Sequence, residues 1–279
     1  MQRMRQATDQ VFTVMVWIAA AVALAVLATI LVHVISRGAP RLSWEFLTQN
    51  PRRMGREGGI LPTILGTVYL TAVAVLVASP VGVAAAVYLS DYARQGWVTR
   101  TIRFATETLA GVPSIIFGIF GFAFLVTYLK LGWSILSGGL TLAFMILPTI
   151  VRTSEEAIQA VPGSYREGSL ALGATRWQTV RRVVIPAASP GIVTGIVLGI
   201  GRAIGETAAV ILTAGSSLLP PRWITDPTRT MSVHLYILAT EGISMPNAYG
   251  TATVLVVVIL AINGVANYLR RRMSAVLAR

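Results

Sequence analysis

Apolar residues fall into six long blocks along this chain, at 11–35, 60–90, 104–129, 140–158, 191–213 and 249–268, with polar stretches between them. A helix rises about 1.5 Å per residue, so about 20 residues cross a hydrocarbon core of about 30 Å. Each block is therefore expected to be a membrane-spanning helix. The first follows a basic stretch, 1–10, with Arg3 and Arg5, and is longer than the apolar part of a signal peptide. In the second, Pro80 removes a helical hydrogen bond and is expected to kink or divide the span. Glycines at 111, 118 and 121 allow close helix contact in the third. Gly191, Gly195 and Gly199, four apart, mark a packing stripe on the fifth.

The polar stretches differ in kind. Two long ones, 36–59 and 214–247, are expected on one side of the membrane, the second with a short surface helix over 232–239. On the other side lie the charged connection 91–103 and the stretch 162–186. The latter predicts an amphipathic helix, a break at Gly173, and a second helix through Trp177 and Val180 that stops before Pro186. Lys and Arg number 13 on the side of the tails 1–10 and 271–279 and 8 on the other. The positive-inside rule puts both tails and 162–186 in the cytoplasm.

Composition narrows the chemistry. With 54% hydrophobic and 12% charged residues, the solvent of this chain is the bilayer, and its net charge of +12 follows from basic helix ends rather than from nucleic-acid binding. There is no cysteine, and His33 and His234 stand in no metal-ligand spacing. The sole lysine, in Leu129-Lys130-Leu131, cannot complete a phosphate-cradling P-loop, so the chain is not an ATPase. Without a Gly-x-Ser-x-Gly elbow or a thiol there is no nucleophile for an intramembrane hydrolase. No catalytic residue, metal or cofactor of its own is expected.

Six charged residues fall inside the blocks, Glu107, Arg152, Glu155, Glu156, Arg202 and Glu206, and three of them carry the functional question. Arg202 and Glu206 lie near the middle of the fifth span, one turn apart on one helical face. An ionised side chain at bilayer depth costs about 2.5 to 3.5 kcal/mol on insertion scales, so both must face protein or water. Either they pair and fix helix packing, or Glu206 aims Arg202 into an anion pathway, where a planar guanidinium meets two oxygens at once. Arg152 either reaches the membrane surface beside Glu155 and Glu156 or faces inward as a second positive charge.

Two groups of motifs carry a resemblance. Glu167, Gly173 and Pro186, with Val183 and Ile185, are similar to the Glu-Ala-Ala, Gly, Ile-x-Leu-Pro loop of ABC importer permeases, with Gly168 and Ser169 in place of the Ala pair. The segments 147–157, 171–177 and 201–207 resemble the A-type permeases of phosphate-specific (Pst) ABC importers. The resemblance implies an all-α integral membrane protein, the six-helix type I importer permease. It implies a homologous C-type permease partner, two ATP-hydrolysing subunits that hold ATP and Mg, and an extracellular or periplasmic phosphate-binding protein. Arg202, Glu206 and Arg152 would line the substrate pathway, and Glu167, Gly173, Ala174, Trp177 and Pro186 would couple the chain to the ATPase. The same architecture can host sulfate, molybdate or a phosphonate. A bacterial or archaeal plasma membrane is the implied location.

Overall fold

The computed structural model describes residues 2–94 and 96–277, with side chains from Phe12 onward apart from 269 and 273–277. Met1 and the last two residues of the expected tails lie outside the described residues. The long helices are α1 (Gln2–Gly38), α3 (Leu61–Val87), α6 (Ile135–Gln159), α9 (Ile185–Gly205) and α12 (Met245–Leu277). Each of the five, with its continuations, is long and apolar enough to cross a membrane. Between them lie short helices, α2 (Trp44–Thr48), α4 (Trp97–Ala110), α5 (Ser114–Gly121), α7 (Gly163–Ala171), α8 (Arg176–Thr179), α10 (Ala208–Thr213) and α11 (Met231–Thr240). Among the described residues the one sheet is a tiny hairpin pairing β1 (Pro51–Arg52) with β2 (Glu57–Gly58).

The third expected span is divided. α4 and the α5 segment, which ends in a π-turn through Tyr128, meet at a bend of 101°. Pro113 has no N–H and disfavours a helical residue before it, and the helix that ends at Ala110 restarts at Ser114. The fifth expected span also breaks, between Gly205 and Ala208. Neither Pro80 nor Pro186 ends a helix. α3 runs through Pro80 as one helix. The second helix of the 162–186 stretch does not stop before Pro186: a π-turn at Val180–Val184 shifts the hydrogen-bond register there, and α8 continues into α9.

Close packing of α3 on α6 forms the centre. A Cβ on Gly139 would stand 2.5 Å from Val73 Cγ1, one on Gly138 2.8 Å from Leu70 Cδ2, and one on Gly82 2.8 Å from Ile150 Cγ2. Leu70, Leu142, Met145, Ile146 and Ile150 are buried between these helices. Lipid is as apolar as leucine, so small residues that let backbones approach supply the packing energy here. The stripe Gly191, Gly195, Gly199 lies on α6 against Ala157, Thr153 and Ile150. Gly118 and Gly121 bring α5 onto α10 and α6, against Ala209 and Thr141.

At the end away from α7, the two long polar stretches fold together. Asn247 Nδ2 donates to the carbonyls of Gly55 and Arg56, and the hairpin sits on α11 with Gly55, at φ +97°, beside His234. The helix expected over 232–239 is there but is not a surface helix: Met231, Val233, His234 and Leu238 are buried.

Candidate functional site

Arg202 occupies the last turn of α9 rather than the middle of an unbroken helix, and a helix C-terminus favours a cation there. After Gly205 the chain leaves the helix, and Glu206 is extended, with ψ of 132°. Its carboxylate accepts hydrogen bonds from the amides of Thr207 and Ala209, both at 3.2 Å, and so caps the start of α10. The shared face expected for Arg202 and Glu206 is therefore not formed. Among the described residues Arg202, half-buried, has no ion-pair or hydrogen-bond partner. Leu198, Gly201, Arg202 and Gly205 share one side of α9, and a Cβ on Gly201 or Gly205 would meet open space. The result is a broken helix with an unpaired guanidinium at its edge.

Arg152 is placed differently. From about two turns before the end of α6 it donates through Nε to Glu156 at 2.7 Å and through Nη1 to Glu107 of α4 at 2.9 Å. Beside it, Arg103 of α4 donates to Glu155 at 2.8 Å. Glu155, expected as a partner of Arg152, belongs instead to Arg103. Arg103, Glu107, Arg152 and Glu155, with Pro148 and Thr149, line a cavity of about 300 Å³ between α4 and α6; Glu156 lies outside that lining. Arg152 is half exposed to it.

The 162–186 stretch forms an elbow. α7 ends at a Schellman turn in which Gly173, at φ +85°, donates to Leu170 O and Ala174 donates to Ser169 O. α8 begins with a reciprocal cap between Thr175 and Gln178, and Ser169 Oγ lies 2.9 Å from Thr179 Oγ1. Glu167, Gly173, Trp177 and Pro186 are exposed and Ala174 is half-buried. Leu172, at the tip, is 91% exposed, a bare apolar knob beside Trp177. Among the described residues no three side chains converge as metal ligands.

Residues 78–275 match the family described as the binding-protein-dependent transport system inner membrane component. The chain belongs to that family. It is a multi-pass inner-membrane permease subunit of an ABC importer. The permease is 36% identical to the probable ABC transporter permease protein YqgI of Bacillus subtilis, over 95% of this chain and 96% of that one. It is 32% identical to the phosphate transport system permease protein PstA of Pasteurella multocida, over 85% of each. Its fold is that of a chain in the inward-facing MetNI methionine ABC transporter, at TM-score 0.65 and 19% identity, covering 77% of the permease and 95% of that chain.

Sequence reasoning passed over several residues that the permease structure brings into play. Arg166 of α7 donates to Asp91 at 3.0 Å and to the carbonyls of Ile158 and Val161 at 2.8 Å, which ties the elbow to the ends of α3 and α6. Glu107 and Arg103 meet α6 only because α4 folds back. Asp91 and Arg166 lie far apart in sequence, and no local periodicity links them; a lone carboxylate just after an apolar block was the available signal.

Proposed function

We propose that this permease carries inorganic phosphate into the cytoplasm, with Arg202 as a direct contact of the anion. The observation that carries the reading is the unpaired guanidinium of Arg202 at a helix break in a span. Discontinuous helices with charged residues at the break are where membrane transporters bind ions. The chain's similarity to PstA, a phosphate transport system permease, supplies the substrate. The carboxylates beside Arg152 favour hydrogen phosphate over sulfate. A P–O–H group donates to a carboxylate, whereas sulfate has no proton at neutral pH and is repelled.

In this reading the tails 1–10 and 271–279 and the α7–α8 elbow face the cytoplasm. Leu172 and Trp177 enter a groove on an ATP-hydrolysing subunit, Glu167 and Pro186 flank that contact, and Gly173 with Ala174 sets the elbow's angle. Two such subunits hold ATP and Mg, while this chain binds no cofactor and catalyses no step itself. A homologous C-type permease covers the open side of α9, and a phosphate-binding protein delivers the anion to the opposite end.

The test is uptake by the reconstituted complex with Arg202→Gln, with sulfate, molybdate and a phosphonate as competitors. Loss of phosphate uptake with assembly intact is expected. Unchanged uptake removes Arg202 from the mechanism, and strong competition by another oxyanion moves the assignment to that ion. A bulky residue at Gly173, where φ is positive, should weaken ATPase co-purification.

A further inference from the structure

The guanidinium of Arg152 is already occupied. The cavity between α4 and α6 is lined by two guanidinium groups, Arg103 and Arg152, and two carboxylates, Glu107 and Glu155, while Glu156, outside that lining, holds Arg152 Nε. A phosphate dianion entering it meets no unpaired positive charge. For Arg152 to contact it, a carboxylate must leave.

The geometry selects which one. Glu156 stands one turn from Arg152 on the same helix, so no movement between α4 and α6 separates the two. Glu107 belongs to α4, which buries only Thr99 and whose Trp97 and Phe104 are 79% and 68% exposed. Little apolar burial therefore resists withdrawal of Glu107. Glu107 takes Nη1, and among the described residues no hydrogen bond occupies Nη2, so withdrawal opens the Nη1–Nη2 edge, the fork that grips two oxygens of one anion. A dianion draws the guanidinium about twice as strongly as a carboxylate at equal distance, so it displaces Glu107 on arrival, and Glu107 returns as the anion leaves.

We propose that Glu107 is a resident competitor for Arg152: it holds the guanidinium while the cavity is empty and yields it to the oxyanion in transit. The inference rests on reading Arg152 as a pathway residue. Glu107 is thus a positioning residue that keeps the site weak, which a conducting pathway needs. Glu156 stays with Arg152 throughout and accepts the phosphate proton.

Equilibrium binding of radiolabelled inorganic phosphate to the purified complex, with uptake in proteoliposomes, tests this. Glu107→Gln is expected to bind phosphate about fivefold more tightly and to transport it several-fold more slowly, because release becomes limiting. Arg152→Gln should weaken binding, and the double variant should match Arg152→Gln alone, since Glu107 acts only through that arginine. A purely structural ion pair would weaken binding in both single variants. If Glu107→Gln binds no tighter while Arg152→Gln weakens binding, the competitor role is overturned and the pathway reading stands. If Arg152→Gln changes neither binding nor uptake, Arg152 is off the pathway and the inference fails with it. Should Glu107→Gln not assemble, Glu107→Asp draws the carboxylate back by one methylene: tighter binding is expected, and unchanged binding overturns the role.

Discussion

Arg152 with Glu156, and Arg202 with Glu206, share one sequence spacing, four residues apart in an apolar setting, and the structure treats them in opposite ways. In α6 the helix continues past Glu156, so the pair closes at 2.7 Å. In α9 the helix ends at Gly205, so Glu206 turns away to cap α10 and Arg202 is left unpaired. An i,i+4 ion pair needs an unbroken helix between its partners. Where the backbone breaks, the same two residues become an open cation and a cap. One arginine is thus held until displaced, and the other is available at all times.

That contrast can be broken or sharpened experimentally, and the expected effects on uptake descend as follows. Arg202→Lys keeps the charge but loses the planar fork, and initial-rate uptake should fall about thirtyfold, whereas Arg152→Lys should cost only a few-fold because carboxylates already hold its Nε and Nη1. Equal losses would erase the distinction between the two sites. Gly205→Ala favours helix continuation by about 1 kcal/mol and gives Glu206 a route back to Arg202. Uptake about fivefold slower is expected, with recovery when Glu206→Gln is added. Glu156→Gln removes the partner that does not exchange; phosphate uptake should change about twofold, and competition by sulfate should rise.

A third guanidinium serves as a control. Arg229 is buried outside the spans, donating to Ser216 O and lying 3.4 Å from His234 Nδ1. Burial, with Arg229 adding to it, holds the His234 imidazole down to about 4. The unfolded chain, near 6.5, binds that proton more readily, so the stability His234 supplies is full above pH 6.5 and is lost as pH falls toward about 4. Thermal midpoints of the purified complex should therefore drop between pH 7 and 5, and His234→Gln should flatten that slope while leaving neutral-pH uptake unchanged. An unaltered slope would separate His234 from the acid response.

Much of the membrane architecture could be read along the chain, because apolar length against bilayer thickness is a one-dimensional constraint. The glycine stripe at 191, 195 and 199 and the break at Gly173 were legible for a similar reason, since small size and a positive φ act locally. Prolines were read less well. Pro113 broke its helix, whereas Pro80 and Pro186 did not, because a neighbouring turn or helix can absorb the missing hydrogen bond. Glycine and an acidic residue before a short apolar run, at 205–206, could have been read as a helix end and a new cap, but the surrounding apolar block masked it.

The sequence by itself determined that this chain lives in a bilayer, where its long apolar blocks fall, and which loop resembles an importer's coupling elbow. Those properties depend on composition, period and spacing, which neighbours in sequence supply. Only the tertiary structure decided that Glu107 reaches Arg152, that Arg166 pins the elbow to Asp91, and that the hairpin after α2 seals His234. Charged side chains take the partner that folding brings within about 3 Å, and that distance is set by a 101° bend and a broken helix rather than by order along the chain.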